Sequence, residues 1–105
     1  MRTIVAFFDL PGFTQKNYDD ILAELKSNGG WPPKKEEGLL SHVSFQKGAN
    51  WCVVDVWESE EQFMAFGQNR LFPIFGKLGL HPAPPQIFPA HIFAKGGMAK
   101  EIISA

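Results

Sequence analysis

The sequence predicts one α+β domain of order β-α-β-β-α-β. Three observations carry that prediction. The chain has 105 residues, the size of a single domain. Strand-like runs of β-branched and aromatic residues alternate with two amphipathic helical patterns. A Gly48-Ala49 pair between two such runs marks a tight hairpin, and a two-residue loop with Gly first suits a type II′ turn.

The first strand is Thr3–Leu10 (TIVAFFDL), ended by Pro11-Gly12. A helix follows, with Thr14 as N-cap and Tyr18, Ile21, Leu22 and Leu25 recurring at i, i+3, i+4 and i+7 on one apolar stripe. Asn28-Gly29-Gly30 stops it. Trp31–Gly38 (WPPKKEEG) is a loop, since Pro32 and Pro33 forbid a regular element. GLLSHVSFQ and NWCVVDVWE form the central hairpin. In the second helix Ser59 and Gln62 have capping-box spacing, Glu60 and Glu61 suit the positive helix end, and Phe63 and Phe66 supply the buried face. Pro73 ends or kinks this helix, and PIFGKLG adds a further turn or two. QIFPAHIFAK is the last strand; Pro89 within it suits an edge or a bulge. The domain is expected over residues 1–96, with a tail over 97–105.

This order is the split βαβ, or ferredoxin-like, arrangement: a four-stranded antiparallel sheet with helices on one face and the other face open. A weak repeat supports it, because VAFFDL before the first helix is similar to WCVVDV before the second, with Asp9 and Asp55 at matching points.

Composition is that of an ordinary globular domain, 45% hydrophobic and 20% charged. A net charge of −1 gives no sign of a nucleic-acid partner, which would leave a basic footprint, or of an anionic membrane. No apolar run approaches the ~20 residues of a membrane span. The N-terminal stretch meets Asp9 and Pro11 too early for a signal peptide, and a single cysteine, Cys52, fits a reducing cytoplasm. Ten Phe and three Trp are more aromatic area than a domain this small hides easily. Either the core is Phe-rich, or there is a second buried surface: a subunit interface, a ligand cavity, or both.

Taking Gly48-Ala49 as the turn pairs His42 with Asp55, Ser44 with Val53 and Leu40 with Trp57. Period two then places Leu40, His42, Ser44, Gln46, Trp51, Val53, Asp55 and Trp57 on one face, and Leu39, Ser41, Val43, Phe45, Cys52, Val54 and Val56 on the other. The second set is small and aliphatic and is expected under the helices. The first, mixed set is expected on the open face, joined by Val5, Phe7 and Asp9 through the repeat and by His91 through alternation in the last strand.

The pattern resembles the dimeric α+β barrel superfamily, which includes antibiotic-biosynthesis-monooxygenase-like domains and small lactone isomerases. The residues behind this are the element order, the hairpin HVSFQKGANWCVVDVWES, the capped helix SEEQFMAF and the closing PPQIFPAHIF. The resemblance covers nearly the whole chain. It implies a homodimer formed through the open faces of two sheets, with a small-molecule cavity in each subunit. It does not imply haem degradation: members with that activity are associated with an Asn on the first strand, and TIVAFFDL has none.

His42 and Asp55 are the sharpest candidate catalytic pair. A carboxylate beside an imidazole fixes its tautomer and raises its basicity, so the dyad can move a proton next to a carbonyl. The structural alternative is a cross-strand hydrogen bond alone, or an Asp55 paired with a partner subunit's arginine. His91 is a candidate second acid or base. Two His and one carboxylate can also bind a metal, but no local ligand spacing supports it, and neither metal nor cofactor is expected. Phe7, Trp51 and Trp57 are candidate walls of a substrate pocket or interface residues, and Arg70 is a candidate contact for an anionic substrate group or a surface ion-pair residue. Cys52 reads as buried filler and His81 as a loop residue. The activities compatible with these residues are a cofactor-independent monooxygenase- or isomerase-type enzyme acting on a small cyclic or aromatic carbonyl compound, or a non-catalytic dimer or ligand-binding module.

Overall fold

The computed structural model describes residues 2–95; the expected tail lies outside them. The elements are β1 (Ile4–Pro11), α1 (Gln15–Ser27), β2 (Leu39–Lys47), β3 (Asn50–Trp57), α2 (Glu60–Phe66), α3 (Phe72–Lys77) and β4 (Gln86–Pro89). All paired strands are antiparallel and the sheet order is β2-β3-β1-β4, the ferredoxin-like arrangement. A short 3₁₀ turn at Lys35–Glu37 precedes β2.

Local chemistry explains the boundaries. Thr14 caps α1 by accepting from the Asn17 amide, while the Asn17 side chain accepts from the Thr14 amide. Ser59 caps α2 by accepting from the Gln62 amide. α2 runs into α3 through a wide π turn at Gly67–Leu71, immediately before Pro73 in the first turn of α3. The missing proline amide thus falls where the ladder is already irregular. In the hairpin, Gly48 has φ +58°, and among the described residues no non-Gly residue has positive φ, as a type II′ turn requires.

The hairpin register matches expectation at His42↔Asp55 and Ser44↔Val53. It departs at the far end, where an irregularity between Leu39 and Ser41 sets Leu39, rather than Leu40, opposite Trp57.

The faces of the hairpin are the reverse of expectation, whereas Val5, Phe7 and Asp9 of β1 lie on the open face as expected. β1 pairs with β3 so that Ile4, Ala6, Phe8 and Leu10 lie opposite Trp57, Asp55, Val53 and Trp51. All eight are buried, forming the sheet's contribution to the core beneath the helices. Val5, Phe7 and Asp9 instead lie opposite Val56, Val54 and Cys52. That set, with Val43 and Phe45, makes the open face. Volume is the reason. The layer between sheet and helices must be filled to near-crystalline density, and the short, interrupted α2–α3 segment leaves room for indoles. Trp57 fills it against Phe63 and Phe66, at ring-centroid distances of 5.6 and 5.2 Å. Valines would leave voids there. The apparent repeat is out of phase by one residue, so Asp9 and Asp55 point to opposite sides of the sheet.

The last strand is shorter than expected. β4 stops at Pro89, and Ala90 makes one further backbone bond, to Thr3. His91 lies beyond the strand in an exposed bend, so the expected alternation does not bring it to the His42 face.

Candidate functional site

Three elements bring a polar chain together in the core layer. Asp55 of β3 is buried, and its Oδ1 lies 2.6 Å from Nδ1 of His42 on the neighbouring β2. The Trp57 indole, two residues along β3 on the same face, donates to Asp55 Oδ2 at 3.3 Å. From α1, the Tyr18 hydroxyl reaches His42 Nε2 at 2.7 Å. A carboxylate only accepts, so His42 carries its proton on Nδ1; Nε2 of the neutral ring then accepts from Tyr18. Burial pushes the Tyr18 phenol above its ordinary value; a Ser44 hydrogen bond works the other way, and the charges of Asp55 and Asp19 add to the rise. The phenol is therefore held as an O–H donor.

These groups border a cavity of about 60 Å³ between the sheet and the helices, whose remaining walls are apolar or aromatic, among them Phe8, Trp51, Phe66 and Phe75. At that volume it holds a few water molecules. Trp31 covers the His42 side, its ring edge-on to the imidazole at 4.8 Å, and Tyr18 packs against Trp51 at 5.5 Å.

The Trp31 loop is fastened to the second helical segment. Arg70, in the π turn, donates from Nη1 to the Asn28 carbonyl at 2.8 Å, and its Nε stands 3.6 Å from Glu37. Gln62 donates to the Glu36 carbonyl at 3.2 Å. Close approach explains Gly30: a Cβ there would lie 2.6 Å from Arg70 Cδ.

Of the residues singled out from sequence, His42, Asp55, Trp51 and Trp57 meet at the cavity. Phe7, His91 and Arg70 do not border it. Phe7 is on the opposite face because β1 is out of phase with the repeat, His91 lies beyond the end of β4, and Arg70 is engaged with the loop. Among the described residues no group of three His, Cys, Asp or Glu could hold a metal ion. Tyr18 and Trp31 escaped the sequence reading. Tyr18 was visible as a member of the α1 stripe, but its role depends on which sheet face meets that stripe. Trp31 follows a helix stop and precedes two prolines, a pattern that reads only as loop.

On the open face, Asp9 accepts from Lys47 and from Asn50, each at 2.7 Å, and the Cys52 thiol lies at 3.6 Å. The Lys47 and Asn50 hydrogen bonds hold the Asp9 carboxyl below its ordinary value. Val43, Phe45 and Phe88 are 53%, 40% and 49% exposed.

No family model matches the chain, and no curated protein does. Solved structures do. A candidate antibiotic biosynthesis monooxygenase from Chloroflexus aurantiacus J-10-fl is similar at TM-score 0.58 and 17% identity, over 90% of this chain and 97% of that one. The NE2512 protein of unknown function from Nitrosomonas europaea is similar at TM-score 0.58 and 18% identity, over 91% and 94%. Protein YJCS is similar at TM-score 0.53 and 13% identity, over 87% and 99%. The chain shares the α+β fold of these three structures. Among the described residues, no helix is long and apolar enough to cross a membrane.

Proposed function

We propose that the protein binds a small cyclic or aromatic carbonyl compound in the cavity beside His42, which widens beyond its about 60 Å³ on the Trp31 side to admit it, and acts on it as a cofactor-independent enzyme of isomerase or monooxygenase type. The observation that carries this reading is the Tyr18–His42–Asp55 chain set in the wall of an aromatic cavity. In an isomerisation, His42 Nε2 takes a proton from the carbon next to the carbonyl. Asp55 stabilises the imidazolium, and Tyr18, released from Nε2, donates to the developing enolate oxygen. The imidazolium then returns the proton at another carbon, so no co-reactant is needed. In an oxygenase the same carbanion would react with dioxygen as co-substrate, a substrate CH2 becoming C=O with one oxygen atom while the other leaves as water with the two hydrogens, the substrate itself supplying the electrons. The monooxygenase name of one structural neighbour agrees with this class of chemistry.

The test is a screen of small carbonyl compounds for turnover, followed by His42→Ala. General acid–base catalysis is typically worth about 10²–10⁴-fold, so the variant should lose turnover on that scale. An unchanged rate would remove His42 from the role.

One observation favours a second reading, a ligand-binding module without catalysis. His42 has a hydrogen-bond partner at both nitrogens without any ligand, as a purely structural network would. Ligands that bind but are returned unchanged would select it.

The apolar open face supports a homodimer formed sheet to sheet, since exposed Val43, Phe45 and Phe88 gain from being covered.

A further inference from the structure

The polar atoms bordering the cavity can be accounted for one by one. Asp55 accepts from His42 at one oxygen and from Trp57 at the other. His42 is engaged at both nitrogens. Among the buried side-chain polar atoms of the described residues one is left over: Nε1–H of Trp51, which has no acceptor. Trp51 as a whole is only 8% exposed. Buried indole N–H groups normally find a partner, because an unmet donor bears its full desolvation cost.

The second observation is charge. No lysine or arginine borders the cavity, and its single carboxylate is Asp55. Arg70, the candidate contact for an anionic group, is engaged at Asn28 and Glu37 away from the cavity. An anion entering this space would lose its hydration, gain no counter-charge and meet a carboxylate. An uncharged ligand with one acceptor oxygen would satisfy Trp51 without that cost.

We propose that Trp51 is the ligand-positioning donor of this site, giving its Nε1–H to the carbonyl-type oxygen of an uncharged ligand, and that the site discriminates against anions. This rests on the cavity being a ligand site, as proposed above.

Three compounds of nearly equal shape test it: ethylbenzene, acetophenone and benzoate. Binding is followed by the indole N–H resonances of ¹⁵N-labelled protein, one for each of the three tryptophans. Acetophenone should bind more tightly than ethylbenzene and move the Trp51 resonance downfield, whereas benzoate should bind at least about tenfold more weakly than acetophenone. Trp51→Phe should weaken acetophenone about threefold to tenfold more than it weakens ethylbenzene, the value of one neutral hydrogen bond. Benzoate binding as well as acetophenone would overturn the proposal. So would acetophenone binding no better than ethylbenzene, or leaving the Trp51 resonance unmoved while bound; in both cases a bound ethylbenzene would keep the cavity as a ligand site. If none of the three bound, the ligand-site reading would fall, and this one with it. The resonance shift is read on the unaltered protein, so the test stands even if the variant folds poorly.

Discussion

The Tyr18 hydroxyl lies 2.7 Å from His42 Nε2, the nitrogen that Asp55 does not touch. This contact joins α1 to the edge strand β2 and caps the basic nitrogen of the candidate dyad. Tyr18→Phe deletes the cap and keeps the ring that stacks on the imidazole. We expect a stability loss of about 1 kcal/mol in urea unfolding, the net worth of one hydrogen bond. We also expect the His42 Nε2 resonance to shift on loss of its donor. An unmoved resonance would mean the contact is not formed in solution.

Asp55 accepts two donors while almost out of reach of water. Asp55→Ala should therefore cost about 3 kcal/mol in chemical denaturation, because the His42 and Trp57 donors are left buried without an acceptor, at about 1–3 kcal/mol each. Asp55→Asn, of equal size, should cost less, roughly 1–3 kcal/mol. It should also free His42 to adopt the other tautomer, detectable by nitrogen chemical shifts. A loss under 1 kcal/mol for the alanine variant would show that water replaces the carboxylate.

Tyr18 is the sole tyrosine, so alkaline titration of phenolate absorbance reads this residue alone. Its folded pKa is raised above the ordinary 10.0 by burial. The unfolded phenol ionises first, so this contribution to stability is fully present below pH 10 and is lost as pH rises through the folded value. Tyr18→Phe should flatten the alkaline decline in unfolding free energy. A phenolate titrating at or below 10.0 in the folded protein would contradict the assignment.

Arg70 fastens the loop that carries Trp31 at Asn28 and faces Glu37. Arg70→Met keeps the aliphatic stem and removes the donors. Cleavage by limited proteolysis between residues 28 and 38 should accelerate, and Trp31 emission should shift to the red as the ring meets water. Ligand association and dissociation should both quicken, with little change in affinity. Unchanged proteolysis would show that the loop is held by other contacts.

Val43, on β2, is the most exposed of the large hydrophobic strand residues on the open face. If subunits pair sheet to sheet, Val43→Glu should convert a dimer to a monomer in sedimentation velocity and leave the His42 resonances in place, because the two lie on opposite faces. An unaltered protein that sediments as a monomer would remove the pairing.

How far the sequence is legible follows from these particulars. The element order, both N-caps, the Gly48-Ala49 turn and the His42–Asp55 pairing rest on local signals, and each is found where expected. The choice of face is not local. Both sets of hairpin residues can face helices, and what decides between them is the volume between layers, set by the π turn and by short helices that no periodicity announces. That single parity also moved Phe7 away from the site and hid Tyr18. The Leu40 irregularity and the early end of β4 are likewise tertiary, and the latter left His91 outside.

Only Gly48 and Ala49 separate the hairpin strands. Because successive side chains alternate sides, a one-residue slip of β2 against β3 would set Val43 opposite Asp55 and turn His42 outward, leaving the carboxylate facing a methyl group beneath the helices. The length of this connection thus selects which residue meets Asp55. An insertion there would be a way to erase the chemistry while leaving every side chain of the site in the sequence, a control that no point substitution offers.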